Sequence, residues 1–191
     1  MFYPFISQFN WFDILIIAVI FRIAYLGIKR GFGIEVFKTI NIFFCSFVAL
    51  HFYITLGEFI HSKITPFPAE SASIFSYIVL IFVITMIFRI LREGFFVFFK
   101  SETVGIFSKI SGLFFGIFRG VVISGLIMYV FLISSNHYLE LSARTSVIGP
   151  KIMRLPVKIY ESILNGVAVK ISSSQGFNQK VIEVLEKKIK N

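Results

Sequence analysis

WFDILIIAVIFRIAYLGI, the stretch from Trp11 to Ile28, holds one acid and one base among sixteen uncharged residues. A helix that crosses the hydrocarbon core of a bilayer needs about 20 mostly apolar residues, and this segment meets that need. The same helix in water would have no polar face to turn outward. It ends in Lys29 and Arg30, has no basic residue ahead of it and no small-x-small cleavage site behind it. It therefore reads as a retained span, not a signal peptide. Arg22 lies about two turns before Lys29, and at about 1.5 Å of rise per residue its long side chain reaches the interface. Snorkelling is the reading favoured over a buried ionic role.

Working outward, three further stretches have the length and apolarity of spans: Val36 to Ile54, Ile74 to Leu91, and Ile110 to Ile133. Gly112, Gly116, Arg119 and Gly120 interrupt the last, so its lipid-embedded part is expected to begin nearer Gly120. Phe95 to Phe99, between Arg92 and Lys100, is too short to span and is expected to lie flat at the interface. Composition agrees. The 191 residues are 57% hydrophobic and 15% charged, with 26 phenylalanines, against roughly 25% charged residues in a soluble domain. Mean hydropathy is +0.86. The one cysteine, Cys45, sits in an apolar run, where a thiol behaves as a small hydrophobe.

Lys29, Arg30 and Lys38 flank the first connection and Arg89, Arg92, Lys100 and Lys109 the third, whereas the second carries Lys63 beside Glu58 and Glu70. The positive-inside rule then places connections one and three in the cytoplasm and both termini outside. The expected architecture is an all-α integral membrane protein: a domain of four transmembrane helices over 1–134 and a basic amphipathic helical tail over 135–191. In that tail Ile152, Leu155, Ile159, Ile163 and Val167 recur at helical spacing opposite Lys151, Arg154, Lys158 and Glu161. This pattern suits a helix lying on anionic lipid or packed on the bundle, weakened near its start by Pro156. Ser172 to Gly176 reads as a linker, and Lys180 to Lys190 as a second short amphipathic helix. Of the net charge of +9, +5 falls in this tail. With no aromatic-interleaved basic groove, the bilayer's anionic surface is its expected partner, not nucleic acid.

Gly112, Gly116 and Gly120 recur every fourth residue on one helix face, where small residues let another helix approach closely. Gly125 lies off that spacing and is expected to tolerate a larger side chain better. Gly27-Ile28-Lys29-Arg30-Gly31 is echoed by Gly116-Ile117-Phe118-Arg119-Gly120, which hints at two related helix-pair halves. Asp13 and Glu35 each stand at the start of a span, where the helix dipole favours a carboxylate. Arg30 is expected to reach lipid phosphates. For Arg119 a carboxylate partner, Glu35 or Glu93, and lipid phosphate stand even.

Asp13, an apolar helix, Lys29-Arg30-Gly31-Phe32 and Glu35, in that order, resemble the opening of the colicin V production protein family. Gly112 to Gly120 is similar to the start of that family's last transmembrane helix, and Ser146 to Pro150 to the Ser-x-x-x-Pro region after it. The resemblance implies a bacterial inner-membrane protein associated with colicin V production or export and with envelope homeostasis. Its motif and packing residues here are Asp13, Arg30, Gly31, Glu35, Gly112, Gly116, Arg119 and Gly120.

Chemistry of the enzymatic kind finds no foothold in the sequence. His51, His61 and His137 are isolated, Cys45 lacks a partner base, and neither a nucleophile elbow nor a phosphate loop occurs. No enzyme activity, cofactor or metal is expected. Two functions remain: a scaffold or assembly factor acting through lateral helix contacts, with a second copy or other membrane proteins as partners, and a small oligomeric channel or transporter. No acid lies deep in any span, which favours the scaffold over a proton-coupled carrier.

Overall fold

The computed structural model describes residues 9–63, 68–98, 105–134 and 136–163. Helix accounts for nearly all of them, and no strand occurs among the described residues. In chain order the elements are α1 (Trp11–Lys63), α2 (Ala69–Phe98), α3 (Ile106–Ile133), α4 (His137–Thr145) and α5 (Gly149–Ile163). The first three are long and apolar enough to cross a membrane, which fits a membrane protein.

α1 is not one rod. A straight helix of its 53 residues would measure about 80 Å, against a hydrocarbon core of roughly 30 Å. Gly31 breaks it with φ 74° and ψ 175°. Before the break, Gly27 meets Gly112, Ala24 meets Gly116 and Ile20 meets Gly120, while the Phe12 ring lies 5.0 Å from that of Phe131. This first arm, 11–30, therefore runs antiparallel to α3. After the break, Glu35 pairs with Arg119 and Tyr53 with Tyr129, so the second arm, 32–63, runs parallel to it. The chain folds back on itself at Gly31. Such a φ is open to glycine and costs other L residues roughly 1–2 kcal/mol. The N–H of Phe32, left without a helical acceptor, donates to Ser108 Oγ at 2.9 Å.

The glycines on α3 and on the first arm are contact points between backbones. A Cβ on Gly27 would collide with the Gly112 carbonyl oxygen, and one on Gly112 with the Gly27 carbonyl oxygen. At Gly116 and Gly120 a Cβ would lie 3.1 Å from the Cα atoms of Ala24 and Ile20. The glycines do not interrupt α3, which runs unbroken from Ile106. The two copies of the echoed motif differ accordingly: Gly31 ends its copy in a reversal, whereas Gly120 lies mid-helix.

α2 packs antiparallel along the second arm and hardly touches α3. Phe37 and Phe95 rings lie 4.8 Å apart, Cys45 Sγ lies 3.6 Å from Thr85 Oγ1, and a Cβ on Gly57 would lie 2.9 Å from Ser73 Cα. Most of its apolar surface faces away from the protein, with Phe82 61% and Ile90 69% exposed. The patch beginning at Phe95 is not a separate interfacial segment, because α2 continues through Phe98. An Arg89–Glu93 pair at 2.9 Å bridges the last turns, and the ring of Phe37 gives Phe95 a packing partner. Phe99 lies outside the described residues.

Of the two settings expected for the amphipathic tail, α5 takes the second. Ile152, Met153, Val157 and Tyr160 join the bundle's core. Pro156 is tolerated inside α5: its missing N–H leaves the Ile152 carbonyl without its usual donor, and both pack on Gly125 of α3. A Cβ there would lie 2.8 Å from the proline ring and 3.0 Å from the Ile152 oxygen. This overturns the expected tolerance at Gly125, since the contact comes from an element remote in sequence. Val167, the Ser172–Gly176 linker and the Lys180–Lys190 segment lie outside the described residues.

Both Gly116→Leu and Gly125→Leu are expected to destabilise the detergent-solubilised protein by about 1–3 kcal/mol or more through overpacking. Gly94, where an added Cβ meets nothing within 4 Å, serves as the control: Gly94→Ala is expected to be neutral or to gain up to about 1 kcal/mol. Thermal unfolding of the three variants measures this, and a Gly94-like response at Gly116 would remove the seating role.

Candidate functional site

Two polar clusters are built into this apolar frame, one beside the middle of α3 and one at its C-terminal end. The first follows the Gly31 reversal. Glu35 lies about one turn beyond it and is fully buried. Arg119 is only 6% exposed; it stands between Gly116 and Gly120, so the row that seats the first arm leaves its side chain to reach the second. The two form an ion pair, and Lys38 Nζ donates to the other Glu35 oxygen at 2.8 Å. A buried carboxylate is costly unless paired, and here two cations hold it. Glu35 is buried sideways in the protein yet shallow along its arm. Glu93 takes other partners, Arg89 at 2.9 Å and Arg92 at 3.8 Å.

Beside this cluster lies a cavity of about 730 Å³ between α2, α3 and the second arm. Arg30, Lys38, Arg89, Arg92 and Arg119 line one part of it, Asn41 and Thr85 the middle, and Ile78, Ile127 and Val130 the other end. Ile78 is 51% exposed, so the cavity is a cleft open on the bundle's flank.

The second cluster is centred on Asp13, which is completely buried. Its Oδ1 accepts from Ser146 Oγ at 2.7 Å and from the Ile148 N–H at 2.9 Å. Its Oδ2 accepts from the N–H of Asn10 at 3.0 Å and of Val147 at 3.3 Å. Ser146 Oγ in turn accepts from the Gly149 N–H at 2.8 Å. One carboxylate thus caps the start of α1 and the start of α5 together. Asn10 Nδ2 and Trp11 Nε1 add bonds to the Ser142 carbonyl (3.0 Å) and hydroxyl (3.1 Å) in α4. Capping by Asp13 is visible in the sequence. That it also caps a second helix, beside a hydroxyl 133 residues further on, is not.

Sequence reasoning passes over the third polar feature. Tyr53, Tyr77 and Tyr129 meet in the core, with Tyr53 and Tyr129 hydroxyls 2.8 Å apart and the Tyr77 hydroxyl donating to the Leu126 carbonyl at 3.4 Å. The available signal is that each is a phenol in an apolar run, where a hydroxyl must find a partner. Arg22 is exposed on the outer face of the first arm, not buried in the bundle. Arg30 is exposed at the cleft. Among the described residues no three His, Cys, Asp or Glu side chains gather as a metal site would require. What these clusters do chemically is hold charge and fasten helices.

The charged centres of both clusters fall inside one stretch of shared sequence: a family model described as colicin V production protein matches residues 12–155. The chain belongs to the colicin V production protein family. Neither a curated protein nor a solved structure matches it. The colicin V production match opens one residue before Asp13 and closes within α5, so the family's segment is the one that the Asp13 carboxylate ties end to end.

Glu35→Gln and Arg119→Met are each expected to cost about 3–5 kcal/mol, because removing one partner leaves the other's charge buried and uncompensated. The double substitution should recover much of that loss. A double-mutant cycle on unfolding in detergent reads the coupling; strictly additive losses would deny it.

Proposed function

We propose that this member of the colicin V production family is a non-enzymatic, multi-pass protein of the bacterial inner membrane. It acts as a scaffold or assembly factor that supports colicin V production or export and envelope homeostasis. The observation that carries this reading is the contrast between interior and flank. Backbone contacts, a buried ion pair, the Asp13 caps and the Tyr53–Tyr129 hydroxyl bond fasten α1, α3 and α5 to one another. α2, by contrast, offers most of its long apolar face to its surroundings, with Phe75, Phe82, Ile90 and Leu91 all exposed. Surfaces of that kind in a bilayer contact lipid or other helices, and association there proceeds by lateral packing.

The reversal at Gly31 supports four crossings, one by each arm of α1. The Phe32–Ser108 bond brings connections one and three to the same end of the bundle, as the charge distribution requires if both are cytoplasmic. Both termini then face outward. A small oligomeric channel or transporter is the second reading, favoured by the basic cleft.

Flux through purified protein in liposomes separates the two functions: the scaffold passes no solute, and robust flux would overturn it. For orientation, a membrane-impermeant thiol reagent on intact cells is expected to label Lys63→Cys and to spare Arg92→Cys. The opposite pattern would invert the topology.

A further inference from the structure

We propose that the cleft between α2 and α3 is a binding site for one anionic phospholipid, its phosphate held by the cleft's arginines and one acyl chain laid along the apolar length. The charge imbalance identifies the ligand. Five cations line the cleft, and two carboxylates, Glu35 and Glu93, answer them. Five against two leaves three positive charges. Arg30 has no carboxylate partner among the described residues. Arginine forks suit a phosphate group, which they bind through paired N–H donors.

The rest of the cleft excludes a small hydrophilic anion as the natural occupant. From Arg119 to Val130 the α3 wall of the cleft is about 16 Å long at about 1.5 Å per residue, close to half of a hydrocarbon core of roughly 30 Å. That is the depth of one leaflet. Beyond Asn41 and Thr85 this length is walled by isoleucine, leucine and valine side chains. The cleft is also open sideways, as the exposure of Ile78 shows, so a chain enters from the bilayer without passing through water. A volume of about 730 Å³ falls within the roughly 300–1,000 Å³ of small-molecule sites and fits one chain and a headgroup, not a second protein helix. This inference rests on the membrane setting alone. The proposed orientation adds only that the inner leaflet supplies the lipid.

Native mass spectrometry tests it on the full chain, delipidated and re-equilibrated with equimolar phosphatidylglycerol and phosphatidylcholine of the same acyl chains. One phosphatidylglycerol per protein chain should be retained at least about tenfold over phosphatidylcholine, 1.4 kcal/mol of discrimination corresponding to a factor of 10. Arg89 is 64% exposed and Arg92 27% exposed at their side chains, so Arg89→Gln/Arg92→Gln should keep the fold, checked by its melting temperature, and lower retention about tenfold. Ile127→Trp should block the chain's bed and lower it as far. Lys29→Gln/Lys109→Gln, which removes two cations that do not line the cleft, should leave it unchanged. Equal retention of both lipids would overturn the proposal, as would equal losses in the cleft and control variants. Displacement of phosphatidylglycerol by sn-glycerol 3-phosphate would also overturn it, by reducing the site to a phosphate site. Solute flux with lipid retained would remove the scaffold reading and leave this site standing; lipid lost without flux would do the reverse.

Discussion

Two backbones touch at Gly27 and Gly112 with no side chain between them, and the positions of the other elements follow from that contact. It fixes the first arm against the beginning of α3, which places Gly31 beside Ser108 and lets the freed Phe32 N–H find its acceptor. With the turn anchored there, the second arm starts its return along a neighbouring face of α3, and Glu35 arrives where Arg119 projects. A Cβ at either glycine would push the arm outward and pull the carboxylate away from its guanidinium. In a bilayer this matters more than in water, because helices surrounded by lipid gain nothing from mere hydrophobicity and are held by close packing and polar contacts.

The same logic separates what was legible in the residues from what was not. Apolar length is local, so the spans could be read directly, and the glycine spacing could be read as a seat for another helix. The seat's occupant was not readable, because nothing in Gly112 to Gly120 names Ile20 to Gly27. The end of α2 was misjudged at Phe95 because charges at Arg92 and Lys100 look like membrane boundaries, while helix continuity depends on a side-chain pair and on Phe37 from another element. Gly125 was misread for a related reason: its neighbour Pro156 lies in α5, and only the folded chain brings them together. The amphipathic face of α5 was visible, but whether it met lipid or protein was not.

The polar residues show the limit most clearly. Asp13 and the Ser146–Pro150 segment each carried a recognisable motif, yet their meeting is a property of tertiary structure. Lys38 counted in the sequence only as a charge near a boundary, and in the fold it is the second cation on Glu35. Tyr53, Tyr77 and Tyr129 looked like three more aromatics in a phenylalanine-rich chain, and proximity made them a ring-packed trio in which the Tyr53 and Tyr129 hydroxyls bond to each other.

The span between Asp13 and its distant donors sets a clock on biogenesis. The start of α1 is finished by Ser146, synthesised 133 positions after Asp13. At roughly 5–20 residues per second the carboxylate waits on the order of ten seconds for Ser146 and Ile148. During that interval Asp13 has its local donor, the Asn10 N–H, but not those of Ser146, Val147 and Ile148. Docking of α5 supplies them, so the last part of the family segment to be made completes the cap near its first residue, and every chain cut short before Ser146 lacks those donors.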